Sequence, residues 1–218
     1  MKFENTSVYN IYNAIIGARN PMNSWNKSDS VFNGFNGKIE NTVIGKNDLE
    51  LMQKLIKAGS EHRKFLRQIF VAVDITAPLY FFKELDTYKV GTVANSTSTM
   101  HKLASTPITI DCFEMDDFED CKDGSNVYVS AIWIESITRL EKLRQTYNET
   151  KDKRYWKELI RLLPESWLQK RTITMNYENI LNMYRQRKNH KLTEWSESFC
   201  DWIKTLPYAE ELICLEYE

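Results

Sequence analysis

From Asn47 onward the chain alternates between stretches whose apolar residues recur at helical spacing and two short β-rich runs, and that mixture bounds the fold. In residues 47–59, Leu49, Met52, Leu55 and Ile56 share one helical face. Asp48 stands at a candidate N-cap and Gly59 where a C′ residue belongs. Residues 69–75 (IFVAVDI) read as a short buried strand, and Pro78 then opens a helix from its first position. Residues 104–126, with Pro107, several acids and Gly124, read as a connector. A long amphipathic helix follows, carrying Val129, Ile132, Trp133, Ile137, Leu140 and Leu143. A second helix spans residues 152–163 and stops at Pro164. Residues 171–175 predict a strand, residues 177–187 a helix and residues 192–206 a final helical region. The architecture expected is α+β, helix-rich, around a modest sheet.

The first 46 residues read differently. Ten of the 17 asparagines fall in the first 47 positions, and Asn-Gly pairs recur in Phe32-Asn33-Gly34-Phe35-Asn36-Gly37. Both residue types tolerate positive φ, so residues 20–46 predict an irregular, loop-rich region with at most short strands. It is either a surface excursion or a loop that covers a ligand.

Charge excludes one class of partner. Lys plus Arg is 29 and Asp plus Glu is 30, a net −1 that leaves no excess of cations for binding nucleic acid by bulk electrostatics. With 42% hydrophobic and 12% aromatic residues the chain can fill a core. No apolar run is long enough for a bilayer span, and the N-terminus lacks a signal-type stretch, so the expectation is a soluble cytoplasmic protein without membrane contact. Cys112, Cys121, Cys200 and Cys214 form no C-x-x-C hook, and the three histidines lie far from them, which argues for reduced thiols over a zinc site or disulfides.

Three places concentrate polar groups beside apolar scaffolding. Residues 86–102 are rich in hydroxyls ahead of a helix, a source of convergent donors for an anion or simply a Ser/Thr-rich turn and cap. In residues 176–190, Asn176, Asn179 and Asn182 recur every three positions and Arg187 follows. Amides can read the edges of a flat heterocycle and a guanidinium can grip phosphate, although a solvated helix face has the same pattern. The third place is His62, in Ser60-Glu61-His62-Arg63-Lys64-Phe65. No Walker loop, G-x-G-x-x-G, G-x-S-x-G elbow, kinase set or metalloprotease motif occurs.

In order and spacing these three places resemble the flavin-dependent thymidylate synthases. That family carries R-H-R-x-x-S-x-N-E-x-S-x-R-Y downstream of an Ala-Pro and an apolar helix. Here Ala77-Pro78 precedes the ungapped stretch Thr87-Tyr88-Lys89-Val90-Gly91-Thr92-Val93-Ala94-Asn95-Ser96-Thr97-Ser98-Thr99-Met100. His62, sixteen residues before Pro78, stands where the family has a flavin-contacting histidine. The family's N-x-R-x-x-x-N-x-x-x-x-R, after a Leu-Pro, is matched by Leu163-Pro164 and then Asn176, Asn182 and Arg187. The resemblance covers roughly residues 48–195.

It departs from the family at specific positions. Thr87-Tyr88-Lys89 replaces R-H-R, Asn95 the glutamate, Thr97 the serine and Thr99 the substrate-holding arginine. Glu84 stands for a nucleotide-contacting glutamine, Glu178 reverses the charge of a flavin-contacting arginine, and Arg161 lies one residue from an expected substrate arginine. A charge-assisted hydrogen bond contributes about 1.5–3 kcal/mol, so losing two or three at a phosphate costs orders of magnitude in affinity.

The length of the chain implies a single domain over residues 1–218, with 1–46 a loop-rich N-terminal region, and the resemblance implies a core over 47–206 built on a mostly antiparallel sheet flanked by helices. It implies reductive methylation of dUMP, or a related pyrimidine nucleotide, using FAD, NADPH and methylenetetrahydrofolate in a homotetramer, with no protein nucleophile. The alternatives are a non-methylating nucleotide- or flavin-binding protein on the same homo-oligomeric scaffold, and an interaction module that binds neither. Carried over by position, the flavin contacts are His62, Tyr88, Lys89, Asn176 and Asn182. The nucleotide contacts are Glu84, Thr97, Ser98, Thr99 and Arg187.

Overall fold

The computed structural model describes residues 1–32 and 42–215; the Asn-Gly pairs expected to turn at Asn33-Gly34 and Asn36-Gly37 lie outside them. The fold is helix-rich with a central antiparallel sheet. Its strands are β1 (Lys2–Tyr9), β4 (Phe70–Pro78), β6 (Leu168–Asn176) and β5 (Val93–Ser96), in the order β1-β4-β6-β5. The Tyr177 N–H donates to the Ile69 carbonyl, and the Leu79 N–H to the Trp167 carbonyl. Ten residues up one strand is thus ten down its partner, as antiparallel pairing requires. β4 alternates buried Val71, Val73, Ile75 and Ala77 with half-buried Ala72, Asp74 and Thr76, while Phe70 at its start is exposed. Pro78 ends this strand, and helix α3 (Leu79–Leu85) starts one residue later than expected.

The chain divides into two compact units. The larger comprises residues 3–75, 85–94 and 172–218. Its helices are α1 (Ile11–Arg19), α2 (Lys46–Lys57), α7 (Tyr177–Arg187), α8 (Cys200–Lys204) and α9 (Ala209–Leu212), with a two-stranded ribbon β2 (Val31–Phe32) and β3 (Thr42–Val43). α1 and α7 both pack on the 3₁₀ turn Lys64–Gln68, which brings Phe65 and Leu66 into the core with Ile11, Ile15, Met52, Tyr177 and Trp195. Tyr177 donates its hydroxyl to the Pro207 carbonyl at 2.7 Å, and burial pushes its phenol far above the ordinary tyrosine range. Burial likewise pushes the Cys200 thiol up to about 11.

Residues 2–19, inside the region expected to be loop-rich, hold β1 and α1. At α2 the expected N-cap is corrected. Gly45 occupies that position, and Asp29 caps the helix by accepting from Asn47 N (2.9 Å) and Asp48 N (3.1 Å). Asp48 instead turns inward, accepting from Arg19 Nε at 2.6 Å, from the hydroxyls of Ser28 and Ser30, and from two main-chain N–H groups. Burial opposes its charge, but these donors outweigh it and hold the carboxyl below the usual range. Gly59 lies at φ +104° past α2, where the sequence placed it.

The smaller unit comprises residues 1–2, 76–84 and 95–171. It holds α3, the one-turn α4 (Thr99–Lys102), α5 (Val129–Thr150) and α6 (Lys153–Leu162). α6 starts at Asp152, whose carboxylate accepts from Arg154 N at 2.9 Å. Leu103, Ile108, Phe113, Leu140, Leu159 and Trp167 form its core, with Trp133, Ile137 and Leu143 of α5 packed against it. Ile132, expected on the same buried face, is 44% exposed.

Candidate functional site

In the larger unit the loop at residues 86–92 is fastened to the start of α7. Asn176 and Asn179 form a reciprocal capping box: Asn179 N donates to Asn176 Oδ1 at 3.0 Å, and Asn176 N to Asn179 Oδ1 at 3.2 Å. Asn179 also donates through Nδ2 to the Val90 carbonyl at 2.7 Å. Gly91, at φ +79°, permits this approach, because a Cβ there would sit 2.9 Å from Asn176 Nδ2 and 3.0 Å from Asn179 Oδ1. Two of the three asparagines thus build the helix terminus. The loop borders a cavity of about 230 Å³ lined by Leu85, Asp86, Tyr88, Lys89, Thr92, Ala94 and Ile173.

At the far end of α7, Arg187 Nε donates to the Tyr88 hydroxyl at 3.0 Å, and that hydroxyl donates to Gln186 Oε1 at 2.7 Å. The Arg187 guanidinium also lies 4.9 Å from the ring centre of Trp195 and 5.6 Å from that of Tyr88. Trp195 is fully buried within a π-helical turn, Glu194–Phe199, and stacks edge-on against Phe199 at 5.0 Å. One extra residue in a helical turn redirects its side chains, and here Trp195 is turned beneath the guanidinium. Tyr88 and Arg187, two of the residues expected from sequence, are therefore drawn together over an aromatic floor, and Tyr88 and Lys89 line the cavity. Gln186 and Trp195 complete the group and were not foreseen.

A second cluster forms around Glu178, in the first turn of α7. Arg63 Nε donates to its Oε1 at 3.0 Å, and Arg67 Nε and Nη2 donate to its two oxygens. Arg63 Nη2 donates to Asn182 Oδ1 at 3.1 Å. Burial would raise the Glu178 carboxyl, but Arg67 and Arg63 overcome this and hold it below the usual carboxylate range. The spacing of the two arginines, one helical turn apart on either side of Phe65 and Leu66, was the available signal; their partner stands more than a hundred residues away in sequence.

His62 is not part of either cluster. It is exposed at the edge of a separate cavity of about 530 Å³ in the same unit, with Gly17, Met22, Leu51, Leu55 and Phe65 among its lining. The remaining expected residues belong to the smaller unit. Thr97 N donates to the Lys170 carbonyl at 2.9 Å, and Gln169 Nε2 donates to the Thr97 carbonyl at 2.8 Å. The same amide reaches Thr99 Oγ1 at 3.4 Å. Ser98 caps α4 by accepting from His101 N at 3.3 Å. Glu84 is half-buried on α3.

Two solved structures of flavin-dependent thymidylate synthase ThyX from Helicobacter pylori, each complexed with FAD and dUMP, are similar to this chain. One aligns with a TM-score of 0.67 at 18% identity, over 99% of this chain and 100% of that one; the other with 0.70 at 18%, over 100% of both. The chain has their fold. No family model matches it, and no curated protein matches it by sequence. Among the described residues no helix is long and apolar enough to cross a membrane.

Proposed function

We propose that the chain binds a pyrimidine nucleotide and a flavin on this fold, and that its reaction is the reductive methylation of dUMP or a close relative. The observation that carries the reading is Arg187, held by the Tyr88 hydroxyl over the face of Trp195, with Lys89 on the same loop. A guanidinium fixed in this way loses little further freedom when it meets a phosphate. Lys89 adds a second positive charge on that loop; by their positions in the motif, Thr97, Ser98 and Thr99 are the proposed hydroxyl or main-chain donors and Glu84 a proposed nucleotide contact. Tyr88 offers a ring for stacking, and His62, Asn176 and Asn182 are the proposed flavin contacts. Support for the ligand pair comes from the fold, whose H. pylori representatives are complexed with FAD and dUMP.

The cavity at Tyr88 is small. At about 230 Å³ it lies below the range of about 300–1,000 Å³ typical for whole ligands, so it does not enclose an entire dinucleotide. The proposed assembly is a homotetramer in which a neighbouring copy completes the site. FAD, when bound, supplies the reduction, with NADPH as electron source and methylenetetrahydrofolate as one-carbon donor. The residues of this chain bind and orient.

A second reading, a nucleotide-binding protein without flavin, is favoured by Glu178. Its charge and its bonds to Arg63 and Arg67, together with the bond from Arg63 to Asn182, engage groups that a flavin would need. One preparation separates the two. Protein that is yellow as purified and oxidises NADPH when given dUMP and methylenetetrahydrofolate supports the first. Colourless protein that refuses added FAD but is thermally stabilised by dUMP supports the second. No response to any of these ligands sinks both. Arg187→Ala should weaken dUMP binding about 10- to 100-fold with the fold intact; unchanged affinity removes Arg187 from the site.

A further inference from the structure

We infer that Arg63, Arg67 and Asn182 form a phosphoryl-binding site whose resident anion is the protein's own Glu178 carboxylate. The inference shares Asn182 with the proposed flavin contacts, and to that extent rests on that reading, but it does not depend on Arg187. Two guanidinium groups face a single carboxylate, so the cluster keeps one uncompensated positive charge. The neighbouring Lys64 does not change that balance, since it pairs with Glu61 at 3.6 Å. Arg63 and Glu178 are nearly covered, at 12% and 11% side-chain exposure, while Arg67 at 47% opens the cluster to solvent.

The donors are also in excess. Glu178 takes Nε of Arg63 and Nε and Nη2 of Arg67. Among the described residues, Nη1 of both arginines and Nδ2 of Asn182 bond to nothing. A carboxylate offers two oxygens to this array; a phosphoryl group offers three and up to two charges. The positive dipole end of the 11-residue α7, in whose first turn Glu178 stands, favours an anion at the same place. The array is therefore matched to a larger, more highly charged anion than the one it holds. Glu178 keeps the two guanidinium groups together and competes with any phosphoryl group for them.

The test is calorimetric titration of the full chain with inorganic pyrophosphate, in wild type and in Glu178→Gln at equal ionic strength. We expect the variant to bind at least about 10-fold tighter, the equivalent of one charge-assisted contact, and the gain to vanish when Arg63→Ala is added. Equal affinity in wild type and variant overturns the inference, as does a gain that survives Arg63→Ala. Should Glu178→Gln not fold, Glu178→Asp keeps the charge but withdraws it by one methylene, and a smaller gain is expected; no gain overturns. Parallel titrations with dUMP and with flavin mononucleotide tell which phosphate the site prefers. A wild type that binds dUMP through Arg187 while Glu178→Gln gains nothing removes this inference alone. A wild type that ignores dUMP while Glu178→Gln takes pyrophosphate removes the nucleotide reading alone.

Discussion

Gly91 shows how much of the site rests on one missing methyl group. Its φ of +79° is a region L side chains rarely adopt, and a Cβ would meet Asn176 Nδ2 and Asn179 Oδ1 at 2.9 and 3.0 Å. Asn179 Oδ1 is a capping-box acceptor and Asn176 Nδ2 belongs to the amide whose Oδ1 is the other, so neither side chain can retreat without loosening the start of α7. Gly91→Ala should cost about 1–3 kcal/mol and lower the urea midpoint, and it should weaken dUMP binding, because the loop carrying Tyr88 and Lys89 loses its seat. An unchanged midpoint would mean that the loop shifts freely. Asn176 was expected from the sequence as a ligand contact, and the structure adds a cap that explains its presence independently. Asn176→Ala should cost about 0.5–2 kcal/mol for the cap alone.

At the scale of elements, α7 was legible to its exact ends, because an Asn cap, an apolar face and a basic last turn all fall within the twelve residues 176–187. α1 was not. Its N-cap, Asn10, sits at φ +70° with no capping hydrogen bond, and its first turn has no acid, so nothing local announces it; packing on the Lys64–Gln68 turn makes the helix. Asp48 was misread for a related reason, since its partners Arg19, Ser28 and Ser30 come from elsewhere in the chain. The Glu178 cluster was hidden in the same way, whereas Tyr88, Lys89 and Arg187 could be singled out because ordered motifs survive in sequence even when contacts do not.

Glu141 on α5 yields a prediction at this scale. It accepts from Ile108 N at 2.8 Å and from Arg144 Nε and Nη2 at 2.7 and 2.6 Å, and Arg144 Nη1 reaches the Ala104 carbonyl, so one carboxylate ties α5 to the connector before it. The Arg144 hydrogen bonds lower its carboxyl from 4.5 to about 2. A carboxyl lowered on folding adds stability that is complete above the unfolded value and fades as pH falls toward the folded one. Wild type should therefore lose stability between about pH 4.5 and 2, while Glu141→Gln starts lower at neutral pH and has a flatter acid limb. Identical acid limbs would show the tie to be idle.

For the whole molecule, α5 carries a prediction about association. Its 22 residues extend for about 33 Å at 1.5 Å per residue, yet only Leu140 is buried. Trp133, Ile137 and Leu143 account for one stripe against the core of their unit. Ile132 and Ile134 flank that stripe at 44% and 67% exposure, so the apolar surface wraps further round the helix than its own unit covers. Burying an isoleucine side chain contributes about 1.5–3 kcal/mol, which gives a second copy of the chain reason to dock there. Sedimentation velocity should find the wild type oligomeric and the double variant Ile132→Glu/Ile134→Glu dissociated, with unchanged circular dichroism. A wild type that sediments as a monomer at tens of micromolar would refute this. The same variant then bears on the site: if a neighbouring copy completes the nucleotide pocket, dissociation should abolish dUMP binding even though Arg187, Tyr88 and Trp195 are untouched. Retained affinity would locate the whole of the binding site in one chain.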